Sequence, residues 1–413
     1  MRRASSSTPD KPLVAIACGG TGGHLYPGMA VADALIERGA HVTLLVSAKA
    51  VDQHAVQSIR DMSVVTLPAV ALTRGNLRGF LRGMWDSFKA SRQEFRRHRP
   101  HAVLGMGGFT SAGPILAGKT VRAATFLHES NAIPGRANRW LSHFVDRAFV
   151  GFYDAAPKLP HQFVSTTGTP VRRELPAGDP AACRQSLGLH PDLPVLLIQG
   201  GSQGAHAIND LLVRSAPLFA EHLPDLQFLH LTGPEDFESV RDAYRAQGRK
   251  AAVFPFLTEM ELALSGATLS VGRAGASSLS ELAALRLPSI LIPYPHAMDN
   301  HQYWNARLFA DRNAARLLEQ SEATPEKLVA EVTRLIKVDA DREAMRDALA
   351  YWHSPLAAGL IAEKILALLP DLAPPRVPPK RPGRRGMDIE ALIQREEAEE
   401  RRKAELESAL PPS

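Results

Sequence analysis

Gly19-Gly-Thr-Gly-Gly-His24 carries the residue types that say most about chemistry in this chain. Glycines let a backbone turn sharply and approach a ligand closely. An apolar run, Leu13–Ala17, precedes the stretch, and the spacing predicts a helix starting near Pro27. The first N–H groups and the positive dipole of such a helix suit a phosphate or a developing anion. A tight strand–helix turn without a ligand would use the same glycines. The spacing is not G-x-G-x-x-G, no ribose carboxylate closes the second strand, and no Gly-Lys-Ser/Thr follows as in a P-loop. Gly105-Met-Gly-Gly-Phe109 and Gly200-Gly-Ser-Gln-Gly204 repeat the pattern after other apolar runs, and three such loops point to a phosphate-bearing ligand.

A fourth turn, Gly272 to Glu281, is rich in Gly and Ser and opens a helix. Glu281 in its first turns complements the helix dipole, or accepts both ribose hydroxyls of a nucleotide. Asp299 to Asn305 and His128-Glu-Ser-Asn131 gather the Asp, Asn and Gln side chains that sugar hydroxyls require, although capping and solvation also employ them. An unperturbed imidazole titrates near working pH, so His24 is the candidate for general base or acceptor positioning, with capping of the turn as the plainer role. No His/Cys/carboxylate spacing suggests a metal, and Asp339-Ala-Asp341 reads as a solvated turn.

The elements that must position these residues read as strands alternating with helices. Apolar runs at 13–17, 42–46, 102–105, 124–128 and 147–150 form one series of strands. A second series lies at 195–199, 227–231, 252–256, 268–271 and 289–292. The alternation predicts α/β architecture, with two similar Rossmann-like domains in tandem and a ligand cleft at the carboxyl ends of their parallel strands. The expected organisation is a flexible N-terminus at 1–11, an N-terminal domain at 12–170 and a C-terminal domain at 171–352. A terminal helix at 353–369 and a Pro-rich, basic linker with a charged tail at 370–413 complete it.

The length, 413 residues, suits two domains with extras, and 45% apolar with 22% charged residues is the balance of a soluble globular chain. Two cysteines, Cys18 and Cys183, make no disulfide framework, which suggests a reducing cytosolic compartment. No segment has the apolar length of a membrane span, so any membrane contact is expected to be peripheral. The net charge is +5, yet the block Arg74–Arg99 alone carries +6. On a helical wheel, Leu77, Phe80, Leu81, Met84, Trp85 and Phe88 share one face of that block, flanked by Arg78, Arg82, Lys89 and Arg96. Two readings stay open: a core-facing helix with a basic edge, or a surface that docks on anionic lipid. Nucleic acid is not expected, because no recognised binding module accompanies the charge.

Taken together, Gly19–Gly28, Gly105–Phe109, His128–Asn131, Gly168–Arg172, Gly200–Ala205, Arg273–Glu281 and Gln302–Ala306 resemble the bacterial MurG family in the family's order, over about Pro12 to Leu369. The resemblance implies the two-domain GT-B fold. It implies inverting transfer of N-acetylglucosamine from UDP-N-acetylglucosamine to lipid I, giving lipid II for peptidoglycan synthesis. The place would be the cytoplasmic face of the cell membrane, peripherally bound. Thr21, Gly22, Gly23, Asn131, Arg172, Ser202, Leu257, Ala276, Ser277, Ser278, Leu279, Ser280, Glu281 and Gln302 would hold the donor. Phe80, Leu81, Met84 and Trp85 would meet the anionic lipid surface, and Arg172 would help to stabilise the leaving diphosphate. The family uses no cofactor, and cell-wall synthesis and division proteins are the further partners it implies. Ser130 stands where the family commonly has Gln, and Ala274 where it has Ser. Another GT-B transferase, a UDP-sugar epimerase, and a membrane-surface scaffold that binds UDP-sugar are the alternatives.

Overall fold

The structure, a computed structural model, describes residues 11–20, 22–49, 62–68, 77–173, 175, 178–201 and 203–369. The N-terminal 1–10 and the tail 370–413 lie outside the described residues, as do Thr21 and Ser202.

Two parallel sheets organise the described chain. The first contains β1 (Leu13–Ala17), β2 (His41–Ser47), β3 (Ser63–Leu67), β4 (Ala102–Gly105), β5 (Ala124–Glu129), β6 (Arg147–Val150) and β7 (Val164–Thr166), in the order β3-β2-β1-β4-β5-β6-β7. The second contains β8 (Val195–Gln199), β9 (Gln227–Leu231), β10 (Ala251–Phe254), β11 (Leu269–Gly272), β12 (Ser289–Leu291) and β13 (Arg316–Leu317), in the order β10-β9-β8-β11-β12-β13. Each sheet reverses its winding once, between β1 and β4 in the first and between β8 and β11 in the second. Such a reversal opens a crevice at the carboxyl ends of the strands. All four glycine-bearing turns leave from these four strands.

The strands are short because both faces are covered. Every residue of β4 and β8 is buried, which is why they read as continuous apolar runs. Three strands were not expected. β3, β7 and β13 lie toward the sheet edges, and polar residues such as Ser63, Ser165 and Arg316 interrupt them. The first core joins Val14, Ile16, Leu35 and Leu104, and the C-terminal helix Ala357–Leu366 packs onto it through Ile361, Ala362 and Ile365. The chain therefore leaves the second domain and closes on the first.

Two further expectations are corrected. The first helix runs Gly22–Ile36 with Pro27 inside it, so it starts five residues earlier than Pro27 suggested. Proline is tolerated there because the neighbouring domain takes over the hydrogen bond it removes, as described below. Asp339 and Asp341 open the helix Asp339–Ala350, where they pair with Arg342 and Arg334, so they do not form a solvated turn.

The basic helix Leu77–Arg97 splits its apolar face. Phe80 and Met84 are buried, with Phe80 edge-on to Phe109 at 4.8 Å. Leu81 is half-buried, and Trp85 is 53% exposed. Phe80 and Met84 are therefore core residues and not membrane contacts. The cause is close packing against the helix Ala112–Thr120, where a Cβ on Gly113 would sit 2.6 Å from Ser87 Oγ. Trp85 stacks on Phe88 at 5.3 Å on the outside, with the Lys89 ammonium 5.3 Å above its ring. No described helix is long and apolar enough to cross a membrane.

Candidate active site

A cleft lies where the two switch points meet. Gly22, Gly23 and Tyr26 line it from the first helix, and Gln199, Gly201, Leu231 and Phe256 from the ends of β8, β9 and β10. Arg172, Leu257, Ser277, Ser278 and Glu281 complete the walls. Seven of the expected donor residues thus converge: Gly22, Gly23, Arg172, Leu257, Ser277, Ser278 and Glu281.

Glycine at Gly204 is a steric necessity. Its φ is +76°, and a Cβ would sit 1.9 Å from the Thr232 carbonyl oxygen. That close approach seats the turn after β8 on the end of β9. Below it, a polar chain fixes the turn. Asn209 Nδ2 donates to Thr232 O (2.8 Å) and to Asp236 Oδ2 (2.7 Å), so Asn209 Oδ1 accepts from His230 Nε2 at 2.9 Å. His230 Nδ1 then accepts from the Tyr244 hydroxyl at 3.0 Å. Full burial lowers the His230 pKa to about 3, so the ring is neutral.

The turn after β11 opens the helix Ala276–Ala284. Ser277 Oγ donates to the Gly23 carbonyl oxygen of the first domain at 2.7 Å. Glu281 is buried, and its Oε1 accepts from Arg172 Nε at 3.0 Å. Burial raises the carboxyl pKa above its ordinary value, while the Arg172 charge and hydrogen bond oppose the rise. Arg172 also donates to Thr258 O at 3.2 Å, and its guanidinium lies 3.5 Å from the Tyr26 ring centroid. Its Nε and Nη1 groups are thereby engaged on the Glu281 side of the cleft.

Of the remaining expected residues, Thr21 and Ser202 lie outside the described ones, and the others do not line this cleft. Ala276 and Leu279 bury their side chains in the core of the second domain, and Ser280 Oγ donates to Ala276 O at 3.0 Å. Gln302 Oε1 accepts from Ala274 N (3.3 Å) and Tyr294 N (3.0 Å), which ties two loops together. Asn131 Oδ1 accepts from Asn305 Nδ2 at 3.0 Å, and Asn305 Oδ1 accepts from Ala132 N at 2.9 Å. Asn305 is fully buried and bridges the two domains.

His24 faces a second set of groups in the first domain. A Cβ on Gly107 would lie 3.2 Å from His24 Nε2 and equally close to Asn138 Nδ2. Gly107 and Gly108 have φ of +113° and +71°, a conformation in which glycine is at ease. Behind them the buried Glu129 accepts from Asn131 N, Asn131 Nδ2, Gly135 N and Asn138 Nδ2 at 2.7–3.0 Å. Burial pushes its carboxyl pKa up, and the four donors hold it back. His128 Nε2 donates to Gly168 O at 3.1 Å, and burial lowers its pKa to about 4. Tyr26, Gln199, Phe256, Asn305 and Glu129 were not singled out as site residues from the sequence. Tyr26, Asn305 and Glu129 stand inside motifs that were. Among the described residues, no three His, Cys or carboxylate groups gather as metal ligands would.

Comparison with known proteins agrees with this arrangement. The glycosyltransferase family 28 N-terminal domain matches residues 14–150, and its C-terminal domain matches residues 195–358. A relative from Anaeromyxobacter dehalogenans (strain 2CP-1 / ATCC BAA-258) is 35% identical over 359 residues, covering 86% of this chain and 92% of its own. It is named UDP-N-acetylglucosamine--N-acetylmuramyl-(pentapeptide) pyrophosphoryl-undecaprenol N-acetylglucosamine transferase. A relative from Moorella thermoacetica bears the same name at 36% identity, covering 86% of this chain and 98% of its own. Among solved structures, Acinetobacter baumannii MurG superposes with a TM-score of 0.65 at 23% identity, covering 86% of this chain and all of that one. The UDP complex of S. aureus MnaA shares the fold with a TM-score of 0.64 at 13% identity, covering 91% of this chain and all of that one. Two winding reversals facing one cleft, matched by both domains of family 28 and by relatives over nearly their whole length, place the chain in the MurG family of GT-B glycosyltransferases.

Proposed function

We propose that this enzyme transfers N-acetylglucosamine from UDP-N-acetylglucosamine to lipid I, with inversion at the anomeric carbon. One observation carries the donor half of the reading: a buried carboxylate, Glu281, is held beside the Ser277–Ser278 helix start at the mouth of the second switch point. Its second oxygen and the neighbouring hydroxyls match a ribose, and the apolar Phe256–Leu257 wall matches a base. Arg172 braces Glu281. The glycine turns after β8 and β11 supply N–H groups where the leaving diphosphate gains charge, a stabilisation that needs no reorganisation during reaction.

The acceptor hydroxyl oxygen attacks the anomeric carbon from the face opposite UDP. The bond from that carbon to the diphosphate oxygen breaks, and UDP leaves with the electron pair. The hydroxyl proton passes to a base, for which His24, beside the Gly107–Gly108 turn, is the candidate. The exposed Trp85 with Arg82, Lys89 and Arg96 provides the contact with anionic lipid, at the cytoplasmic face of the membrane.

The test is turnover with UDP-N-acetylglucosamine and a short-chain lipid I analogue. Formation of UDP together with the disaccharide product supports the reading. Release of UDP or a 2-epimer without an acceptor product replaces it by hydrolysis or epimerisation, and binding of the donor with no reaction replaces it by a scaffold.

A further inference from the structure

Tyr26 comes from the first helix, Gly22–Ile36, and Arg172 from the segment that leaves β7 for the second domain. The guanidinium carbon sits over the Tyr26 ring, 3.5 Å from its centroid, so the planar cation covers the face of the ring. Arg172 meets the second domain with its edge. Nε donates to Glu281 Oε1 at 3.0 Å, and Nη1 donates to Thr258 O at 3.2 Å. A planar cation bonded along its edge and stacked on its face is held in one orientation. The side chains of Arg172 and Glu281 are each 12% exposed, so little water competes. A cation–π contact strengthens as it is desolvated.

The ring is itself well placed. It is half-buried and packs against the core of the first domain. It also lies over the start of its own helix, where a Cβ on Gly22 would meet Tyr26 Cε2 at 3.5 Å. The next residue along the segment, Arg173, pairs with Glu37 at 2.7 Å, just past the far end of the same helix. Two successive arginines thus tie the entry to the second domain onto one helix of the first. Ring, guanidinium and carboxylate form a chain that runs from the first domain to Glu281.

We propose that Tyr26 is a positioning residue for the donor: its ring fixes the Arg172 guanidinium, and Arg172 in turn holds Glu281 in place for the ribose. The proposal rests on the donor reading above. The Arg172 charge opposes the rise that burial causes in the Glu281 pKa, so a guanidinium released from the ring weakens both the placement and the ionisation of the carboxylate. A donor site built this way is complete only while the first domain presents its ring to the second.

The test is donor Kd by titration calorimetry with UDP-N-acetylglucosamine, together with donor KM and kcat. The variants are Tyr26→Leu, Tyr26→Phe, Arg172→Ala and the double variant Tyr26→Leu/Arg172→Ala. Tyr26→Leu should raise donor Kd and KM about threefold to tenfold, the range for a partly desolvated cation–π contact. Its kcat should stay within about twofold, because a ribose contact is made in the ground state and the transition state alike. Tyr26→Phe keeps the ring face and should recover most of the loss. With Arg172 already replaced by Ala, the Leu change should add less than about twofold, since the group it acts through is gone. As pH falls, donor KM of Tyr26→Leu should start to rise at a higher pH than in the parent protein.

Unmoved donor Kd and KM in Tyr26→Leu overturn the proposal alone. A loss in Tyr26→Phe as large as that in Tyr26→Leu also does, because the hydroxyl and not the ring face would then matter. Additive losses in the double variant do the same, since Tyr26 would then act on the donor without Arg172. A parent protein that binds no UDP-N-acetylglucosamine overturns the functional reading, and this proposal with it.

Discussion

Ser277 Oγ of the second domain donates to the carbonyl oxygen of Gly23 in the first at 2.7 Å. The residue four places after Gly23 is Pro27, which has no N–H, so the Gly23 carbonyl lacks its helical donor. Proline inside the helix thus creates the acceptor that the other domain uses. Pro27→Ala should return an N–H to Gly23, bring the helix into competition with Ser277, and weaken the bridge. One hydrogen bond is worth about 1 kcal/mol, or roughly fivefold in an equilibrium. The donor KM should rise by about that factor in Pro27→Ala and in Ser277→Ala, with the melting temperature of Pro27→Ala unchanged or higher. Initial rates over a range of UDP-N-acetylglucosamine decide it: an unmoved KM in both variants would show that the bridge does not bear on the donor.

Glu281 and Arg172 make a second pair, on one wall of the cleft, and each partner has its own consequence for the donor. Glu281→Ala should raise the donor KM by the equivalent of about 1.5–3 kcal/mol, as for a hydrogen bond to a charged group. Arg172→Ala leaves the buried carboxylate without its cation, so the Glu281 pKa should climb further above its ordinary value. The carboxylate must be ionised to accept ribose hydroxyls. In Arg172→Ala the donor KM should therefore rise as pH falls, starting at a higher pH than in the parent protein. Donor KM measured over the same pH series for both proteins tests this. Identical pH profiles for the two proteins would remove Arg172 from the control of Glu281.

The glycine turns were legible because each follows a strand buried on both faces, where apolar continuity marks the strand and glycine its end. The edge strands β3 and β13 were not, since half-exposed residues such as Val64 and Arg316 dilute the signal. The pairings that finish the site were beyond local pattern. Arg172 meets Glu281 across 109 residues, and Asn131 meets Asn305 across 174. A helical wheel placed Phe80 and Trp85 on one face, but only the position of the neighbouring helix decides which of them is covered. Tyr26 read as part of a turn motif, and its stacking on Arg172 depends on how the second domain sits.

Two buried histidines set the acid stability. His128 and His230 have folded-state pKa values of about 4 and about 3, against 6.5 for an unperturbed ring. Below pH 6.5 the unfolded chain takes up two protons that the folded chain refuses. Stability contributed by the neutral rings is complete above that pH and is lost as pH falls toward the folded values. The slope is about 1.4 kcal/mol per pH unit for each histidine. Urea midpoints should therefore drop steeply from pH 7 to pH 5, and His128→Gln should reduce the steepness while its amide keeps a donor for Gly168. A midpoint independent of pH over that window would show that neither ring is held neutral.

The split face of the helix Leu77–Arg97 separates membrane binding from folding. Arg78, Arg82, Trp85 and Lys89 are exposed, whereas Phe80 and Met84 are buried. Near an anionic surface each cation contributes about 1 kcal/mol, so replacing Arg78, Arg82 and Lys89 by Glu removes roughly 3 kcal/mol and adds repulsion. The triple variant should lose binding to vesicles containing anionic phospholipid and keep turnover of a water-soluble acceptor. Trp85→Ala should weaken vesicle binding through its apolar contact, with little effect on melting. Phe80→Ala should do the reverse, costing about 3–5 kcal/mol of stability because it opens a cavity against Phe109. High salt should weaken vesicle binding of the parent protein by screening the same cations. Sedimentation with vesicles at low and high salt reads all of these. Full binding by the triple variant would move the lipid contact to another face, and the basic edge of this helix would then serve solvation alone.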